Sequence, residues 1–154
     1  MNIFTVSFFG QKEITDLLYV ETALEKEVRD LIMTKEYVEF LVGRQGEFDM
    51  LVSSTIRRVK RELDYGNTSL VLVLPRLTAE YRKNRAGFEK FYDEIEICTE
   101  SENVSSKRSR ELRNKTVADR SDLIICCIDH ENGEAYKTMI YAEKQNINVK
   151  NVAG

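Results

Sequence analysis

The chain has little of what builds membrane, metal or disulfide-stapled proteins. No run approaches the ~20 apolar residues of a membrane-spanning helix, so no membrane partner is expected. The only histidine is His130, and the cysteines are Cys98, Cys126 and Cys127, with no CxxC spacing. That set cannot supply a structural metal site, and neither metal nor cofactor is expected. An odd cysteine count, with two adjacent in an apolar run, reads as reduced thiols in a cytoplasmic protein. Residues 1–8 show no charged leader and no long apolar core, so no signal peptide is read there. Tryptophan is absent and Pro75 is the only proline. No Ser-His-Asp set, Cys-His pair or Walker lysine loop is present. The net charge of −3 offers no basic surface by composition. Bulk nucleic-acid binding is therefore not expected.

What is present is a regular alternation. With 154 residues, 42% hydrophobic and 32% charged, the chain reads as a single globular domain over residues 1–154. Short apolar runs at 3–8, 37–42, 70–74 and 123–128 read as buried strands. Lesser strands are expected at 94–98 and 147–152. Amphipathic stretches at 15–33, 48–63, 107–118 and 134–144 read as helices, with a short one at 87–92. Segments 76–85 and 100–106 read as loops. Strand and helix in alternation give an α/β fold, a Rossmann-like three-layer sandwich with a mostly parallel central sheet. Ligands in such folds bind beyond the C-terminal strand ends, near the reversal of strand order.

The loops on that edge carry the candidate residues. After the first strand come Gly10, Gln11 and Lys12, a tight turn followed by a cation. After the second come Gly43, Arg44, Gly46 and Asp49, suited to bending backbone around a phosphate or ribose. Pro75 ends the third strand. Arg113 is read as a phosphate clamp and Asn114 as a reader of base or ribose. Asp119 and Asp122 are read as satisfying the corner before the next strand. Gly133 opens a helix in an anion-site geometry, but Glu134 in that first turn would repel a phosphate there. The basic run 57–61 lies near a helix C-terminus and reads as a solvated, dipole-matched face; the cluster 107–110 reads similarly, with a place in the cleft as its alternative because Arg113 follows on the same helix.

In order and spacing these loops resemble the SLOG superfamily, and within it the YpsA-like bacterial proteins of unknown function. The matching pieces are 5–10, 40–49, 72–75, 91–93, Arg113-Asn114, 119–123, 135–138 and Tyr141-Ala142. The resemblance implies a Rossmann-like domain holding a nucleotide or nucleotide-derived ligand at the strand C-termini. A more distant resemblance is to the LOG phosphoribohydrolases, through Arg113 and Ser121-Asp122. The Pro-Gly-Gly loop of that group is missing, and residues 135–142 hold no acid where its catalytic glutamate would fall. Departures from the closer group fall at Gln11-Lys12, Ser105 and Glu134.

The leading expectation is thus a domain that binds or senses a nucleotide-like small molecule, leaning away from catalysis. A LOG-like hydrolase and an interaction scaffold with a degenerate pocket stand as alternatives. Self-association is left open.

Overall fold

A computed structural model describes residues 1–98 and 103–153. Its strands are β1 (Ile3–Gly10), β2 (Tyr37–Val42), β3 (Thr68–Leu74), β4 (Glu94–Ile97), β5 (Leu123–Cys127) and β6 (Asn148–Asn151). Its helices are α1 (Leu17–Thr34), α2 (Glu47–Leu63), α3 (Ala79–Lys83), α4 (Arg85–Phe91), α5 (Ser106–Asp119) and α6 (Gly133–Lys144). The strands form one sheet in the order β4-β3-β2-β1-β5-β6. Every pairing is parallel, so the sheet is wholly rather than mostly parallel.

The continuous apolar runs follow from burial on both faces. Successive side chains alternate between two cores. Val6, Phe8, Phe40, Leu72 and Ile125 pack with α1, α2, α3 and α4. Phe9, Leu41, Val71, Val73 and Ile124 pack with α5 and α6. The α1 face is the one the periodicity predicts, with Val20, Leu24, Val28, Leu31 and Ile32 buried. Asp16 starts this helix by accepting the Tyr19 N–H at 3.2 Å.

One segment differs from expectation. Residues 76–85, read as a loop, contain α3. Thr78 caps it by accepting the Tyr81 N–H, and Tyr81 buries its ring 5.4 Å from that of Phe88. The capping threonine was the available signal, but five residues are too few for a readable apolar face. The stretch 100–106 lies partly outside the described residues. Among the described residues no helix is long and apolar enough to cross a membrane.

Strand order reverses at β1, which lies between β2 and β5. The C-terminal ends of these strands, with β3 beside them, therefore frame the cleft. The connecting loops are tied together there. The Gln11 backbone N–H donates to Cys127 O, and that of Glu47 to Lys12 O, both at 3.1 Å.

Candidate functional site

The cleft has two connected parts. The inner pocket, about 70 Å³, lies over the ends of β1, β2 and β3 and reaches the flanks of α5 and α6. The outer groove, about 650 Å³, runs across the loops after β1 and β5. Gly10, Gln45, Arg110, Glu134 and Ala135 border both.

The candidate residues divide between these parts. Gly10, Gly43, Arg44, Asp49, Pro75, Arg113, Asn114 and Glu134 line the inner pocket. Gln11, Lys12 and Gly133 line the outer groove. Gly46 borders neither. It packs on the Lys12 backbone, where an added Cβ would lie 3.1 Å from Lys12 Cα. Gly10 is where glycine is required for close approach, because a Cβ would collide with Phe48 of α2. Gly133 has φ +91°, a backbone region that L side chains disfavour.

Arg113 departs from its expected part. Rather than reaching outward as a free phosphate clamp, it is buried to 6% exposure. Its Nε donates to Val73 O at 2.8 Å and its Nη2 to Val42 O at 2.9 Å. Its Nη1 donates to Asn114 Oδ1 at 3.0 Å, so the Asn114 carbonyl is engaged as well. The guanidinium donates to carbonyl groups near the ends of β2 and β3, in a place where buried backbone groups need partners. Asp49 faces this cation, and its carboxylate accepts the Gln45 N–H at 2.7 Å. Desolvation pushes the Asp49 carboxyl above the usual carboxylate range, against the pull of the Gln45 N–H and the Arg113 charge. Burial lowers the Arg113 guanidinium from its ordinary value, and Asp49 opposes that shift.

Arg44 turns toward the far side. It donates to Glu80 at 2.8 Å and to Tyr92 Oη at 3.2 Å, and stacks 4.7 Å above Phe88. The Gln11 amide is spent on the loop after β5, donating to His130 O and accepting from the Asp129 N–H. Among the described residues, Lys12 is the cation of the groove whose ammonium makes no ion pair. Glu13, Asp129 and Glu134 supply opposing charge along the same walls.

Two further features border the cleft, Arg110 from the basic cluster 107–110 and a pair after β5 that was not singled out from sequence. Arg110 sits one turn before Arg113 on α5 and pairs with Glu134 through Nε, 3.1 Å from both carboxylate oxygens, and Nη2 at 2.9 Å. Its i, i+3 spacing from Arg113 on one helix is what brings the cluster 107–110 to the cleft. Asp129 and His130 follow β5, with His130 Nδ1 2.6 Å from Asp129 Oδ1. Thr15 donates to the other Asp129 oxygen at 2.5 Å, and these bonds hold that carboxyl below its usual range.

The remaining motifs serve the fold. Asp122 accepts the Thr5 N–H at 2.8 Å, and Asp119 accepts from Tyr141 Oη at 2.6 Å. Ser105 caps α5 by accepting the Arg108 N–H. In the basic run, Arg58 pairs with Glu25 and Lys60 with Asp93. Burial pushes the Cys126 thiol up to about 12 and Cys127 to about 11, leaving both as poor nucleophiles.

No family model matches the chain, and a search of curated proteins finds no sequence match. Solved structures do match in fold. DNA processing protein A (DprA) from Streptococcus pneumoniae aligns with a TM-score of 0.67 at 12% identity, over 97% of this chain and 50% of that one. DNA processing protein A from Helicobacter pylori, described with a single-stranded-DNA-binding mode, aligns with a TM-score of 0.66 at 14% identity. That match covers 96% of this chain and 64% of the other. The chain thus spans between half and two thirds of these proteins' length. The likeness establishes a shared Rossmann-like fold. It also overturns two expectations, a nucleotide-like small molecule as the ligand and the absence of nucleic-acid binding, since the Helicobacter pylori protein with this fold binds single-stranded DNA. The second expectation rested on net charge, which averages over the surface and says nothing of one groove.

Proposed function

We propose that the groove at the C-terminal edge of the sheet binds single-stranded nucleic acid. The observation that carries this reading is the open outer groove at the reversal of strand order, continuous with the inner pocket. Such a groove admits a strand along its length. Lys12 offers an unpaired charge to a phosphate, and the polar side chain of Asn132 adds to the same wall. The likeness to a fold described with single-stranded DNA supports the same reading. We further place residues 1–154 as one domain of the SLOG superfamily, on the order of their glycine loops along this edge.

Fluorescence anisotropy with a labelled oligo-dT of about 15 nucleotides tests the function. Binding should weaken with salt, with a log–log slope of about −0.7 for each phosphate neutralised. Lys12→Ala should make that slope shallower by about 0.7. Absence of binding at low ionic strength would overturn the reading.

A further inference from the structure

Arg110 and Glu134 form the boundary between the inner pocket and the outer groove, and each borders both. Their side chains are 32% and 35% exposed, so water reaches the pair. Arg110 commits Nε and Nη2 to Glu134, while its Nη1 makes no bond among the described residues. The two residues lie on α5 and α6, whose bodies are fixed by the core they share. Separating them therefore requires side-chain rotation and no helix movement. Gly133, immediately before Glu134, has nothing within 4 Å of its Cβ position, so the space beside this turn is open.

Building on the nucleic-acid reading, we propose that the Arg110–Glu134 pair is a displaceable latch. A backbone phosphate of the single strand takes the place of the Glu134 carboxylate on Arg110, and the released carboxylate turns to solvent. The exchange is chemically matched. Glu134 presents two oxygens to the guanidinium edge, and a phosphodiester presents two in similar geometry. A part-exposed ion pair is weak enough to be exchanged in this way. The latch makes binding costlier than the arginine content of the groove suggests, since Arg110 reaches a phosphate only by giving up Glu134.

The test uses the full chain and labelled oligo-dT, comparing wild type, E134Q, R110Q and the double variant R110Q/E134Q. E134Q should bind roughly three- to fivefold more tightly at low salt, the span expected for freeing one part-exposed pair. Its salt slope should steepen by up to about 0.7, since Arg110 no longer brings its own counter-charge. The gain should vanish in R110Q/E134Q relative to R110Q. Unchanged affinity and slope in E134Q would overturn it while leaving the nucleic-acid reading intact, given binding by wild type. A gain that persists in the R110Q background would also overturn it, reducing Glu134 to a repelling charge. No binding by either wild type or E134Q would overturn both readings.

Discussion

Arg113 donates to the carbonyl of Val42, a residue 71 positions earlier in the chain, at 2.9 Å. The same guanidinium reaches Val73 O, so one side chain from α5 ties the ends of two neighbouring strands. The floor of the cleft is therefore held by the cation first expected to serve a ligand.

Arg113→Ala should destabilise the fold by about 2–4 kcal/mol, because two buried carbonyls lose their donor and a cavity opens. Arg113→Lys should recover less than half of that, since one ammonium cannot span both carbonyls with the fixed fork of a guanidinium. Urea unfolding with unchanged m-values is the measurement. A change below about 0.5 kcal/mol for Arg113→Ala would return the residue to the candidate ligand groups.

Gly10→Ala should cost about 1–3 kcal/mol by forcing a methyl group into Phe48. Phe48→Leu introduced with it should recover part of that loss, and the double-mutant cycle should show coupling between the two positions. Additive effects would show that the contact is not the cause.

Asp49 and Asp129 should give opposite pH dependences. The folded-state carboxyl of Asp49 is raised, so folding favours its protonated form. Its contribution is greatest below the ordinary carboxylate range and declines as pH rises through the folded value. Wild type minus Asp49→Asn stability should fall across that window. Asp129 is lowered, first by the Thr15 hydroxyl and then by His130. Its contribution is present above the ordinary carboxylate range and is lost as pH falls through the folded value. Wild type minus Asp129→Asn stability should shrink on acidification. Matching slopes for the two variants would contradict these environments.

Asp122→Ala should destabilise by about 1–2 kcal/mol without altering oligonucleotide affinity. Its carboxylate receives the Thr5 N–H at the start of β1, at the opposite end of the strand from the groove. Thermal unfolding read beside anisotropy separates the two effects. A loss of affinity at preserved stability would show that this corner belongs to the site.

The strands were legible because four apolar runs, buried on both faces, admit little else at that spacing. β2 over Tyr37–Val42 matches the expected bounds, and the expected α/β class follows from the alternation of strands and helices. α3 was not legible, being short and mostly exposed. For the cleft, sequence order indicated which loops reach the sheet edge, because βα connections in parallel sheets all emerge on the same side. It did not indicate what each side chain does there.

Sequence by itself thus determined the periodicities, the parallel α/β class and the glycine-bearing turns, all of which depend on neighbours within a few residues. Tertiary structure alone decided that Arg113 is buried under carbonyls of β2 and β3, that Arg44 turns to Glu80, and that Arg110 meets Glu134. The physical reason is that a charged side chain's role depends on its partner and its exposure. Both are set here by residues 24 to 71 positions away, brought close only when the sheet and its two helical layers assemble.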